Sequence, residues 1–89
     1  MTIEKMLVIS TGHLPKKEID LLNARIIGDE YNGWVRAEGT LCCLTVSNLD
    51  LSDLPCLSEL LSVTARHHCE WLMLDRDGEV LRTHPTFEW

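Results

Sequence analysis

The chain has 89 residues, enough for one domain with a single modest core, so we expect residues 1–89 to fold as one unit. Its net charge of −6, with only eight lysines and arginines, argues against a protein that grips phosphate backbones. Four cysteines, no secretory signal pattern and no apolar run long enough to span a bilayer favour a cytoplasmic protein with free thiols.

The first half begins with a strand and a helix. Residues 5–11 form a short run rich in Leu, Val and Ile, with apolar side chains in both alternating sets, as expected of an interior strand. Gly12 and Pro15 interrupt this run, and residues 16–25 then show helical spacing. The helical positions expected to face a core are Ile19, Leu22 and Ile26.

A predicted hairpin follows, and it carries apolar side chains on both faces. A two-residue Gly39-Thr40 loop would pair Glu38 with Leu41. One face suits a helix-covered core and comprises Val35, Ala37, Cys42, Leu44 and Val46. The other face is mixed and comprises Trp34, Arg36, Glu38, Leu41, Cys43 and Thr45. This second face needs a cover of its own.

The second half supplies another helix and another strand. The helix is expected over residues 53–67, with Asp50, Ser52 and Asp53 as alternatives for its cap. Residues 71–75 form a strand that is apolar on both sides. Asp77-Gly78 signals a tight turn, after which residues 79–82 are a candidate for a short C-terminal edge strand.

The predicted element order is therefore β-α-β-β-α-β, a ferredoxin-like order. It favours an α+β two-layer sandwich with a mainly antiparallel sheet and two helices on one face. If Trp71 and Met73 join Trp34 on the open face, that face carries an apolar patch that is unusual on a monomer. Three covers stay open: the tail with Phe87 and Trp89, a second copy of the chain, or a foreign partner.

No catalytic or cofactor motif rises above background, so we expect a non-enzymatic protein without a cofactor. His67-His68-Cys69 is the most metal-like cluster, but it lacks the paired spacing of a zinc site and better suits a helix C-terminus, so no metal is expected. Ser10 to His13 favours capping hydroxyls and a structural histidine over a nucleophile and its base. A metal- or thiol-dependent enzyme at residues 67–69 is the least favoured alternative.

Three blocks of the chain resemble a known family. They are Ile9-Ser10-Thr11-Gly12-His13, Glu30-Tyr31-Asn32-Gly33-Trp34-Val35, and Asp75-Arg76-Asp77-Gly78-Glu79 followed by Pro85-Thr86-Phe87-Glu88-Trp89. In order and over nearly the whole chain they resemble a family of small uncharacterised proteins carried on plasmids, prophages and genomic islands of enterobacteria and relatives. The resemblance implies a setting rather than a mechanism, since small acidic proteins of mobile elements often occupy a surface on host CRISPR or restriction machinery.

We therefore expect a small acidic binding protein of a mobile genetic element that inhibits a host defence or nucleic-acid-handling complex, of anti-CRISPR or antirestriction type, by protein–protein contact. Its partner would be a protein, with a basic nucleic-acid-handling complex as the candidate, and neither nucleic acid nor a membrane. A homodimeric structural or regulatory accessory protein is the alternative. The candidate partner-binding residues are Trp34, Arg36, Glu38, Trp71, Met73, Asp75, Asp77, Glu79 and Trp89.

Overall fold

Among the residues that the structure describes, strands and helices follow one another as β-α-β-β-α-β. The computed structural model describes residues 1–37, 39–43 and 51–87. The strands are β1 (Met6–Ser10), β2 (Gly33–Arg36), β3 (Gly39–Cys43) and β4 (Trp71–Asp75), and the helices are α1 (Lys16–Ile27) and α2 (Pro55–Arg66). A 3-10 turn over Thr11–His13 links β1 to α1. Within the described ranges, no helix has the length and apolar character needed to cross a membrane.

The strands form one mixed sheet in the spatial order β1-β4-β3-β2. β1 runs parallel to β4, while β3 pairs antiparallel with both β4 and β2, so the sheet is mainly antiparallel. The fold is an α+β sandwich of a sheet and two helices, as predicted. Its sheet differs from a ferredoxin-like one, because β4 lies between β1 and β3 and runs parallel to β1.

The core lies between the helices and one face of the sheet. It includes the three α1 positions that the helical spacing predicts. Ile9, Leu72 and Leu74 form the floor of the core and are at most 1% exposed. The buried members of the core are Ile9, Leu14, Ile19, Leu22, Ile26, Tyr31, Leu54, Leu57, Leu60, Leu72 and Leu74.

The β2–β3 hairpin turns two residues earlier than predicted. Arg36 pairs with Gly39, so Gly39 and Thr40 belong to β3 and do not form the loop. Gly39 is the first residue of β3. The position requires glycine, because a Cβ there would overlap the carbonyl oxygen of Leu74 in β4. Glycine is therefore used for the close approach of two strands rather than for a turn.

Thr40 confirms that this position lies inside the sheet. Its side chain is buried, and its hydroxyl donates to the Asn23 amide oxygen of α1 at 2.6 Å. The shift in register moves the pairing by an even number of positions, so Trp34 and Val35 keep their predicted faces. The predictions for Glu38 and for residues 44–46 lie outside the described residues.

The chain after β4 does not form the predicted C-terminal edge strand. Asp75 to Gly78 makes the predicted turn, with the Gly78 N–H donating to the Asp75 carbonyl at 2.9 Å. The turn leads across to β1, where Glu79 forms a single parallel bridge with Ile9. Gly78 permits this crossing, since a Cβ there would lie 2.5 Å from the Ile9 carbonyl carbon. The following described residues, 80–87, are irregular.

Candidate partner-binding face

The sheet face opposite the helices carries an apolar groove. We call this surface the open face and define it by Met6, Val8, Trp34, Trp71 and Met73. Met6, Val8 and Trp34 leave 52%, 39% and 53% of their surface exposed. The groove has a volume of about 350 Å³ and is lined by Met6, Val8, Trp34, Arg36, Met73 and Asp75. The described residues therefore leave an apolar sheet face in contact with solvent.

The strand register explains how the groove is assembled. Met73 of β4 lies between Val8 of β1 and Leu41 of β3, and Leu41 in turn pairs with Trp34 of β2. Cross-strand partners share a face of a sheet. Residues from the two edge strands, β1 and β2, are thus brought to the same surface as Met73.

Two tryptophans form the aromatic part of the open face. The rings of Trp34 and Trp71 stack with centroids 5.6 Å apart and planes inclined by 27°. Because β2 and β4 are separated by β3, these rings meet across the strand between them. The Trp71 indole N–H donates to the carboxylate of Glu4. This hydrogen bond and the stacking fix Trp71 and leave Trp34 as the more exposed ring.

Charged side chains border one end of the groove. Arg36 and Asp75 both pair with Gly39, so the residue between them has no side chain. The Asp75 carboxylate accepts the Asp77 N–H at 2.9 Å, which orients it within the turn. Asp77 and Glu79 continue the acidic surface beyond the groove and are exposed.

The candidate residues predicted from sequence are thus largely brought together. Trp34, Arg36, Met73 and Asp75 line the groove, and Trp71 stacks beside it. Asp77 and Glu79 lie on the adjoining turn and bridge, while Glu38 and Trp89 lie outside the described residues. Met6 and Val8 were missed, because the apolar run of β1 was interpreted as an interior strand.

The described part of the C-terminal tail follows a different course from the open face. The Phe87 N–H donates to the Gly12 carbonyl at 2.7 Å, next to the end of β1. Buried His13 also holds the C-terminal segment, through both of its ring nitrogens. Its Nε2 accepts the Leu81 N–H at 2.8 Å, and its Nδ1 lies 2.9 Å from the Pro85 carbonyl. The ring is therefore neutral with its proton on Nδ1, and His13 is structural, as predicted.

A second, smaller cavity of about 190 Å³ lies beside this segment, where α2 begins. It is lined by Cys56 of α2. Burial, together with the neighbouring Glu18 carboxylate, raises the pKa of Cys56 to about 11. The thiolate form is therefore scarce at neutral pH, and the cavity lacks an activated nucleophile at this position.

Side chains of α1 hold the start of α2. The carboxylate of Glu18 is buried and accepts the N–H groups of Cys56 at 3.2 Å and Leu57 at 2.9 Å. The residue at the N-cap is Leu54, which makes no side-chain cap bond. The predicted local cap was therefore wrong for Asp53, and a carboxylate from another helix performs that role.

Asp53 is instead paired with α1. The guanidinium of Arg25 contacts both carboxylate oxygens of Asp53 and donates to the Tyr31 hydroxyl at 2.9 Å. Its hydrogen bonds lower the pKa of the Asp53 carboxyl below its ordinary value. The C-terminal end of α1 and the approach to α2 are joined by this pair.

The metal-like cluster lies at the C-terminal end of α2, as predicted. His67 is the C-cap residue, and the Cys69 thiol donates to the His67 carbonyl at 3.6 Å. His68 has a φ of 58°, which belongs to the left-handed region. Across residues 1–37, 39–43 and 51–87, no three His, Cys, Asp or Glu side chains are grouped to hold a metal ion.

Comparison with known families gives a match over residues 6–89, which begins with the first residue of β1. The matching model is the DUF5983 C-terminal domain, a family of unknown function. The chain belongs to this family. No curated protein and no solved structure matches the chain. The DUF5983 match therefore gives the chain a family but no activity, and the open face is the feature from which a function can be argued.

Proposed function

We propose that this DUF5983 domain is a protein-binding module that uses its open face. The observation that carries the proposal is the exposure of Met6, Val8 and Trp34 around one groove. Tryptophan and methionine are enriched at protein interfaces, and apolar patches on small soluble domains mark interaction sites. The described residues that line the groove supply one carboxylate and one guanidinium, without a nucleophile paired to a base, so binding is better supported than catalysis.

Charge indicates the chemistry of the partner. The chain has a net charge of −6, and Asp75, Asp77 and Glu79 extend the acidic surface from the groove. A partner that combines a basic surface with an apolar anchor complements this arrangement. Nucleic-acid-handling proteins present such basic surfaces.

We extend the proposal to a biological setting. In it, the chain is encoded by a mobile genetic element and inhibits a host defence or nucleic-acid-handling complex by occupying its basic surface. An anti-CRISPR or antirestriction role is of this kind. The acidic charge beside an apolar groove supports the proposal, because such a surface can compete with nucleic acid for a basic site.

The test is quantitative affinity purification of the tagged chain from a bacterial host lysate. W34A/M73A removes the apolar anchors, and D77K/E79K reverses charge beside the groove. D20K/E30K is the matched control, because it changes the net charge equally at exposed positions away from the open face. We expect a basic nucleic-acid-handling protein to be retained by wild type and control and to fall about tenfold or more with the other two variants. Equal recovery with all four proteins would overturn the proposal.

A second copy of the chain is the competing occupant of the open face. Sedimentation velocity at micromolar concentration distinguishes the two. A wild-type dimer that becomes a monomer in W34A/M73A would show that the open face pairs two copies. A monomeric wild type would leave the face to a different protein.

A further inference from the structure

The outer edge of β1 offers backbone hydrogen-bonding groups next to the groove. The Ser10 N–H donates to the backbone carbonyl of Glu79 at 2.9 Å, on the side of β1 away from β4. On the inner side, the Trp71 N–H donates to the Lys5 carbonyl at 3.1 Å. Because backbone groups alternate between the two edges of a strand, the N–H groups of Met6 and Val8 point outward, as that of Ser10 does. Among the described residues, no strand pairs with this part of the edge.

The sequence of β1 lacks the features that usually protect an edge strand. Met6 to Ser10 contains neither a charged residue nor a proline. The opposite edge strand, β2, carries Arg36 at its end. Exposed apolar edges pair readily with other extended chains unless charge, proline or a bulge prevents it. The β1 edge is therefore the better site for an added strand.

We propose that the partner of this domain contributes an extended segment that pairs with the Met6–Val8 edge of β1. This inference rests on the proposed function and specifies how the partner binds. The added segment would lie beside Met6 to Val8, on the outer side of β1 where Glu79 already bridges Ile9. Backbone hydrogen bonds would supply affinity, and alternate side chains would reach the groove beside Val8 and Met6.

The surrounding charges specify the sequence of that segment. Glu79 lies at the carboxyl end of the open edge, and Asp75 and Asp77 lie on the turn that leads to it. A lysine or arginine at the corresponding end of the segment meets these carboxylates. An apolar residue next to it would then lie over the groove. The expected segment is short, with a basic residue adjacent to alternating apolar ones.

A partner segment fits this edge better than a second copy of the same strand. Glu79 occupies the outer position beside Ile9, so an antiparallel copy of β1 has only Met6 to Val8 available for pairing. Two chains of net charge −6 would also be brought together. A short basic segment from another protein needs no more than these three residues and avoids this repulsion.

The experiment selects binders from random peptides displayed on phage, with the full chain as target, and remeasures the enriched peptides on variants. Val8→Pro removes the outward N–H of residue 8. Edge strands tolerate a proline at such a position, because no hydrogen bond between β1 and β4 is lost. Val8→Thr is the matched control, since it keeps the N–H and the branched shape. We expect short peptides with a basic residue adjacent to alternating apolar ones. Their affinity should fall about tenfold or more for V8P and less than about threefold for V8T.

Amide hydrogen exchange keeps the test valid if V8P fails to fold. In the wild-type chain, the enriched peptide should slow exchange at Val8 and Met6. No enrichment, equal binding to V8P and V8T, or unchanged exchange at Val8 would overturn the inference. Loss of peptide binding in W34A/M73A with full binding to V8P would retain the open face and reject strand addition. Dimers that are abolished by V8P would assign the edge to a second copy instead.

Discussion

Both helices end on a non-glycine residue in the left-handed region. Asp29 follows α1 with a φ of 60°, and His68 follows α2 with a φ of 58°. After α2, the His68 N–H donates to the Ala65 carbonyl at 2.9 Å, and the Cys69 N–H donates to the Thr64 carbonyl at 3.1 Å. This is the Schellman pattern, in which glycine is the usual residue at the left-handed position. The left-handed conformation of His68 therefore carries a steric cost that glycine would not have.

Replacing His68 by glycine should stabilise the protein. Glycine removes the steric cost of the left-handed conformation, so we expect H68G to raise the free energy of unfolding by about 0.5–1 kcal/mol. His67 has a φ of −89°, so the neighbouring H67G is the matched control and should lower stability by a few tenths of a kcal/mol. Urea denaturation measures both. A destabilised H68G would mean that the imidazole contributes more than its backbone costs.

Single positions were predictable where the side chain alone decides its environment. The spacing of Ile19, Leu22 and Ile26 predicted their burial correctly. Gly39 was assigned wrongly, because a glycine suits a turn and a close strand contact equally well. Only the distance to Leu74 distinguishes these two uses, and that distance depends on a pairing between residues far apart in sequence.

The start of α2 depends on α1 rather than on a local cap. Glu18 accepts two N–H groups of the first turn of α2 and is only 4% exposed. A carboxylate at a helix N-terminus also interacts favourably with the helix dipole. The sequence could not reveal this contact, because Glu18 and Leu57 are 39 positions apart and no short-range pattern connects them.

Removing this interhelical cap should destabilise the fold. We expect E18A to lower the free energy of unfolding by about 1–3 kcal/mol, since two buried N–H groups lose their acceptor. E18Q keeps one acceptor oxygen and should lose about half as much. D20A on the exposed face of α1 is the control and should change stability by less than about 0.5 kcal/mol. Chemical denaturation gives all three values, and equal stability of E18A and D20A would contradict the assigned role.

The sheet shows how far pattern reasoning extends to whole elements. The apolar residues of β4 predicted a strand that is apolar on both sides, and the structure places Leu72 and Leu74 in the core and Met73 in the groove. The same reasoning failed for β1, whose apolar content indicated an interior strand. Strand order determines which strand lies at an edge, and it depends on long-range pairing that periodicity does not encode.

At the scale of the whole molecule, the described residues form a packed helical side and a sheet side that they leave uncovered. Glu18, Arg25 and Asp53 join the two helices, and His13 joins the end of β1 to the C-terminal segment. These buried or paired polar groups hold the scaffold on which the open face is presented. The stability of the fold and the availability of the groove therefore depend on separate residues, so variants of each can be interpreted independently.

His13 provides the final test of this division, because it anchors the C-terminal segment far along the sequence. H13A removes the acceptor for the Leu81 N–H and the donor to the Pro85 carbonyl, and it should lower stability by about 2–4 kcal/mol. The released segment exposes the bond after Arg82 to trypsin. We expect cleavage there to accelerate by about tenfold or more, while cleavage after Arg25 changes less.

Two conservative variants separate the two hydrogen bonds of His13. Asn resembles the Nδ1 side of the ring and can still donate to Pro85, whereas Gln reaches further and can still accept from Leu81. H13N and H13Q should therefore each release the segment less than H13A does. In H13N and H13Q, binding of the phage-selected peptide to the open face, normalised to the folded fraction, should stay unchanged. Trypsin cleavage after Arg82 at the wild-type rate in H13A would show that the segment is held by other contacts.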